Sequence, residues 1–174
     1  MSKVAIVFWS QTGNTETMAN CIAEGAGANA TIIPCSEMNA AKLGEYDVVA
    51  FGCPAMGAEQ LEESEFEPMF SDLEGSLNGK KVAMFGSYGW GDGQWMRDWV
   101  ERAQGDGAQV FGGEGLICNE APDDDVQAAC RKLGAALAAW EPQTGSLLTN
   151  EVCSSKLIGP VSAVLLWTAL HRRT

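Results

Sequence analysis

The sequence predicts an α/β protein built on a doubly wound, five-stranded parallel sheet in three αβα layers. Short apolar runs recur along the chain, amphipathic helical stripes separate them, and the alternation is regular. Runs that are apolar at nearly every position suit strands covered on both faces, the mark of a parallel sheet. A chain of 174 residues is enough for one such domain.

Val4–Trp9, VAIVFW, is the first strand, bounded by the polar turn Ser10 to Thr15. Met18, Ile22 and Ala26 then recur at helical spacing and form the first apolar stripe. Ala30–Pro34, ATIIP, is a weaker second strand, and Asp47–Gly52, DVVAFG, is the third. Phe66, Met69, Phe70, Leu73 and Leu77 give the next stripe, followed by the strand Lys81–Gly86, KVAMFG. Trp95, Trp99 and Ala103 lie on a helix and belong to the core. Gln109–Phe111, with Leu116–Cys118 as its candidate continuation, supplies the fifth strand. Val126, Cys130, Leu133 and Leu137 close the series on a helix that Asp123 is placed to cap.

The period is lost after Ala138, in a stretch rich in Pro, Gly and small polar residues. The chain therefore divides into a folded domain, residues 1–138, and an extension, residues 139–174, that is disordered, not native to the protein, or partner-associating. Leu157–Leu170 is apolar but only 14 residues long and contains Pro160, whereas a membrane span needs roughly 20. It could associate with a surface or a partner without crossing a membrane.

The net negative charge belongs to the domain. Residues 1–138 hold eight Lys/Arg against 21 Asp/Glu, and the whole chain carries −12. Nucleic acid is excluded as a partner, because phosphate backbones need a basic face. A basic protein surface suits this field better. The six cysteines are scattered without a CxxC pair, and His171 is the single histidine, so neither a metal site nor a disulfide framework is expected. The sequence enters a strand-like run directly after Met-Ser-Lys, so no secretory leader is expected and the cytoplasm is the expected compartment.

The turn after the first strand is unusual. Ser10, Gln11, Thr12, Gly13, Asn14 and Thr15 follow one another without a positive charge and lead into a helix. Unpaired N–H groups of the helix start, hydroxyl donors and a glycine that permits close approach together describe an anion site for a terminal phosphate. The pattern is neither a GxxxxGK[ST] loop nor a GxGxxG fingerprint. The alternative is a polar turn in which Thr12 or Asn14 caps the helix.

Two further loops fall on the same sheet edge. GCPAMGAEQ follows the third strand and offers Met56 and Gly57; FGSYGWGDGQ follows the fourth and offers Tyr88, Gly89 and Trp90. A planar aromatic ligand could lie between the Met side chain and the indole, with its phosphate in the first loop. Trp90, flanked by glycines and outside any periodic stripe, is a poor core candidate.

FWSQTGNTE, GCPAMG, LEESEFEP, GKKVAMFGSYGWGDGQWMRDW and NEAPD together resemble a flavodoxin of the short-chain, clostridial type, over residues 3 to about 138. The strand order 2-1-3-4-5, with FMN at the switch between the first and third strands, comes with that resemblance, since flavodoxins are themselves an example of the switch-point rule. By the resemblance, Ser10 to Thr15 take the FMN phosphate, while Met56 and Trp90 cover the two ring faces. Gly57 is the residue whose peptide turns to offer its carbonyl to the reduced ring nitrogen N5, and Glu59 is the acidic neighbour of N3–H. Pro54, Ala55 and Ala58 complete the second loop, Ser87, Tyr88 and Gly89 surround ring and ribityl, and Asn119 contributes from the end of the last strand. Pro54, Ala58 and a shortened Gly25–Ile33 segment depart from the family pattern.

The resemblance implies a low-potential one-electron carrier with non-covalent FMN, working between semiquinone and hydroquinone without turning over a substrate. Its partners would be redox enzymes, flavodoxin or ferredoxin reductases and low-potential oxidoreductases, docking on the acidic face. The run Glu62 to Glu67, EESEFE, is either part of that face or the solvated side of a helix. Two other readings are open: a flavodoxin-like NAD(P)H-dependent quinone or flavin reductase, which lacks a second nucleotide motif here, and a receiver domain. The latter needs acidic residues where Trp9, Ser10, Cys53 and Pro54 stand.

Overall fold

The computed structural model describes residues 1–141. The expected extension, including Cys153, Leu157–Leu170 and His171, lies outside the described residues except for residues 139–141. Strands and helices alternate as β1 (Val4–Phe8), α1 (Asn14–Ala26), β2 (Ala30–Pro34), α2 (Ala40–Gly44), β3 (Val48–Gly52) and α3 (Phe66–Leu73). They continue as β4 (Lys81–Tyr88), α4 (Gln94–Gly105), β5 (Gln109–Val110), β6 (Leu116–Asn119) and α5 (Asp124–Ala139). The sheet order is β2-β1-β3-β4-β5, with every pairing parallel. The fifth strand is split. β5 and β6 both pair with β4, and the turn between them leaves the ladder at Phe111–Gly113, where Gly112 and Gly113 take φ of +67° and +74°. The five-residue helix α2 has too short a stripe to stand out in the sequence; Asn39 caps it by accepting from the Lys42 N–H.

The sheet is buried on both faces because alternate residues point to opposite sides. Ala5, Val7, Val49, Phe51, Val82 and Met84 face the layer that holds α3 and α4. Val4, Ile6, Val48, Ala50, Ala83 and Phe85 face α1 and α5. In the first layer Trp99 sits edge-on to Phe66 and Phe70, at centroid distances of 5.4 and 5.5 Å. In the second, α1 and α5 approach so closely that a Cβ on Gly134 would lie 1.9 Å from the Ile22 carbonyl oxygen.

The five described cysteines are buried free thiols. Burial pushes Cys53 and Cys130 up to about 12, so both stay protonated and unreactive at neutral pH. Among the described residues no helix is long and apolar enough to cross a membrane, and no group of three or more His, Cys, Asp or Glu could hold a metal ion.

The folded unit runs past Ala138. Ser2 donates from its N–H to the Ala138 carbonyl at 2.8 Å and from its hydroxyl to the Trp140 carbonyl at 2.7 Å. Trp140 packs on Phe111 at 5.1 Å, and the buried Lys81 ammonium lies 5.0 Å from its ring centroid. A positive charge at the carbonyl end of α5 complements the helix dipole.

The run Glu62 to Glu67 is not one solvated face. Glu62 is buried, and its carboxylate accepts from the Ser64 hydroxyl and from the N–H groups of Ser64, Glu65 and Phe66 at the start of α3. Glu67 forms a two-bond pair with Arg102 of α4, at 2.9 and 2.8 Å, which lowers its carboxyl below the usual range. Only Glu63 and Glu65 of the four are exposed.

Burial alone would raise the Glu62 carboxyl, but the Ser64 hydroxyl and the three N–H donors outweigh it and bring it from 4.5 to about 2. Its folded value is depressed, so its stabilisation is fully present above pH 4.5 and lost as the pH falls toward 2. Glu62→Gln should cost about 1–3 kcal/mol at neutral pH and flatten the acid limb of stability in that window, as followed by urea unfolding across pH. An unchanged acid limb would refute this role.

Candidate functional site

In a parallel sheet every strand ends on the same edge, so the segments after β1, β3, β4 and β6 meet there although β1 ends at Phe8 and β6 at Asn119. A cleft of about 230 Å³ opens between them. The first loop lines it with Gln11, Thr12 and Asn14, the second with Pro54, Ala55 and Met56, and the third with Ser87, Tyr88 and Gly89. Glu120, just past β6, closes the rim. A larger hollow of about 350 Å³ beside α5 is walled mainly by Phe111, Leu116, Leu133 and Ala136 and lacks converging polar donors.

The floor of the first loop is the start of α1. The residue at the cap is Gly13, at φ +88° and with no side-chain cap, so neither Thr12 nor Asn14 fills that role. The first-turn N–H groups are left to whatever enters the cleft. Ser10 shapes the turn by accepting from the Gly13 N–H at 3.1 Å, and it keeps its own proton to donate. The Thr15 side chain is buried and shares a 3.2 Å hydrogen bond with the Ser87 hydroxyl, tying the first loop to the third. Ser10, Gly13 and Thr15 thus hold the cradle in shape, while Gln11, Thr12 and Asn14 line it.

The second loop is a tight hairpin. Met56 and Gln60 exchange both backbone hydrogen bonds, at 2.8 and 2.9 Å, around Gly57, Ala58 and Glu59. Gly57 has φ +51° and is exposed at the tip with Ala58. A Cβ at Gly57 would meet only the Gln60 amide nitrogen at 3.6 Å, so backbone conformation rather than space calls for glycine there. Glu59 does not hang free beside the cleft. Its Oε1 accepts from the N–H groups of Gly93 and Gln94 at the start of α4, each at 3.1 Å.

In the third loop Trp90 is 63 % exposed, whereas Trp95 and Trp99 are 2 % exposed, which separates the loop indole from the core indoles as expected. Tyr88 leans on Trp95 at 5.4 Å. The Tyr88 carbonyl gathers two donors from the last strand's end, the Glu120 N–H at 2.7 Å and Asn119 Nδ2 at 3.3 Å. Asn119 therefore braces the third loop. Glu120 escaped the sequence reading; its signal is conformational, a non-glycine residue at φ +58°.

The cleft thus brings together uncharged polar groups of the first loop and largely apolar residues of the second and third, while Gly57, Ala58, Glu59, Trp90 and Asn119 do not line it. The family model described as Flavodoxin matches residues 6–133. The chain is 48 % identical over 138 residues to a flavodoxin of Megasphaera elsdenii, covering 78 % of this chain and 98 % of the relative. It is 46 % identical over 136 residues to a flavodoxin of Clostridium beijerinckii, covering 76 % and 97 %. The solution structure of two-electron reduced Megasphaera elsdenii flavodoxin superposes with a TM-score of 0.69 at 46 % identity, over 78 % of this chain and 98 % of that one.

If the first turn of α1 is an anion site, the amide resonances of Asn14, Thr15 and Glu16 in the ligand-free chain will move saturably with inorganic phosphate and not with chloride at equal ionic strength. Equal response to both salts would sink the assignment.

Proposed function

The chain belongs to the flavodoxin family and is an FMN-binding electron carrier rather than an enzyme with its own substrate, and from that premise we propose a low-potential, one-electron role for the cleft described above. The observation that carries it is the cap-free, cation-free start of α1 beside Met56 and Tyr88. That donor set fits FMN. A phosphate needs several N–H and O–H donors, and each hydrogen bond to a charged group contributes roughly 1.5–3 kcal/mol, so neutral donors replace a lysine. In this reading Ser10 to Thr15 bind the phosphate. Pro54, Ala55, Met56, Ser87, Tyr88, Gly89 and Asn119 surround ring and ribityl, and Trp90 closes the outer face.

When bound, FMN supplies two successive one-electron steps at its ring. The chain's task is to hold those steps apart. Gly57 can turn its peptide at little steric cost, so its carbonyl can accept from N5 once that nitrogen carries a proton. One such bond, at about 1.4 kcal/mol, shifts a one-electron potential by about 60 mV. Carboxylates oppose further negative charge. One at about 8 Å, with an effective dielectric constant near 20, repels a unit charge by roughly 2 kcal/mol. Glu120 stands at the rim of the cleft, and the domain's acidic excess adds to it. Electrostatics thus outweighs the single hydrogen bond in setting the lower potential, and Trp90 adds to it by excluding water.

The protein passes electrons to redox partners. We place flavodoxin or ferredoxin reductases and low-potential oxidoreductases among them, docking on exposed acidic residues such as Glu63 and Glu65. Buried reduced thiols suit the cytoplasm. The independent domain is taken to end after Pro142, beyond the Trp140 contacts, and residues 143–174 are dispensable for FMN.

Protein loaded with FMN should be yellow, show two resolved midpoint potentials, and not be reduced by NADH or NADPH alone. Truncation after Pro142 should leave the FMN Kd within twofold. Gly57→Thr should narrow the gap between the two midpoints by tens of millivolts, because a β-branched residue resists the glycine conformations the turn needs. An unchanged gap in a spectroelectrochemical titration would refute the role of Gly57.

A further inference from the structure

The larger hollow, beside α5, owes its existence to the break in the fifth strand. The register pairs Val82 with Val110 and Phe85 with Leu116, so Ala83 and Met84 of β4 have no strand beside them on that side. α5 does not fill the gap, because it presents only Ala129 and Ala136 on either side of Leu133. The space left is about 350 Å³, within the range of small-molecule sites. Ala83 and Met84 are buried, while Phe111, Leu116 and Leu133 are left half-buried around it. Trp140 packs on Phe111 at 5.1 Å and holds that wall.

Two charges line the same space. Glu114 comes from the turn before β6 and Lys132 from α5. Both are exposed, and neither is in an ion pair with another described residue. A carboxylate and an ammonium left apart beside an apolar hollow match one ligand chemistry, a zwitterion with an apolar body. We propose that the hollow is a binding site for a free α-amino acid with a large apolar side chain, such as phenylalanine. The side chain enters among Phe111, Leu116 and Leu133, where an aromatic ring gains from the Phe111 ring beyond the area it buries. The ligand's carboxylate turns to Lys132 and its ammonium to Glu114. A purely apolar molecule leaves both charges unused, and a simple anion meets Glu114 as a like charge. The hollow shares no lining residue with the cleft at the strand ends, so the site stands apart from the FMN reading.

The test follows amide and indole resonances of the isotope-labelled full-length chain during titration with L-phenylalanine, phenylpropionate, phenethylamine and glycine. Phenylalanine should shift the amides of Leu116, Leu133 and Ala136 and the Trp140 indole saturably, while Asn14 and Thr15 stay in place. Phenylpropionate, which lacks the ammonium, and phenethylamine, which lacks the carboxylate, should each bind about fivefold more weakly, the upper end of what an exposed ion pair contributes. Glycine, without an apolar body, should not bind. Lys132→Gln should weaken phenylalanine to the level of phenethylamine, and Glu114→Gln to that of phenylpropionate; both changes are at exposed positions and leave the core intact. Ala136→Phe, which fills the hollow, should abolish the shifts. Analogues that bind within twofold of phenylalanine would make the hollow an unselective apolar pocket and overturn the proposal. Shifts that survive Ala136→Phe, or no saturable response to phenylalanine, would overturn it as well.

Discussion

Parallel strand alignment is the constraint on which everything else depends. In an antiparallel sheet, successive turns alternate between two edges, and the segments after β1, β3 and β4 could not meet. Here the register pairs Phe8 with Gly52 and Gly52 with Phe85, so those strands reach the edge side by side. The cost of parallel pairing is that both faces need cover, and the helices supply it through two separate apolar layers. Gly134 is part of the same requirement, since α5 closes on α1 at a distance no side chain allows. Site and core are therefore one solution: the crossovers that bury the sheet also bring the loops together.

Acidity divides into two kinds of carboxylate. Glu62 and Glu67 are structural, each satisfied by several donors, and their charges are neutralised locally by helix N–H groups or by Arg102. Glu63 and Glu65, one and three residues away from Glu62, remain in water. Only the second kind adds to a long-range field that reaches a ligand or a partner with little local compensation. Residue counts thus overstate the field that the cleft experiences. By the same reasoning Glu59, held by the start of α4, counts for less than Glu120 on the cleft's rim.

Most of the fold was legible because the signals were periodic. β1, β3 and β4 announced themselves as apolar runs, α3 and α4 as stripes, and the cap at Asp123 was found accepting from the Val126 N–H at 2.9 Å. The site was legible at the level of loops. Ser10 to Thr15 stand out in the sequence as a polar segment, but which of them face the cleft depends on Gly13 taking a left-handed conformation, which no spacing rule reveals. The bond from Glu59 to α4 and the place of Glu120 at the rim were hidden for the same reason. Both residues lie at positive φ, set by contacts with segments remote in sequence. The turn that splits the fifth strand relies on two glycines at positive φ, so its run was found but not its break.

The hairpin between Met56 and Gln60 carries two left-handed residues with one position between them, and the two differ in what holds them there. Gly57 needs no support, since glycine enters that region freely and its peptide is exposed at the tip. Glu59 does need support, and its carboxylate obtains it from α4. A mobile peptide is useful only beside a fixed one, because a carbonyl that turns toward a ring must turn about a stationary base. Were both positions glycine, the whole hairpin would shift and the hydrogen bond gained at N5 would be diluted over many geometries. Were both anchored, no bond could form on reduction. Adjacent freedom and restraint in five residues would let one hydrogen bond be made or broken with the redox state, as the role proposed for Gly57 requires, while the cleft around it kept its shape.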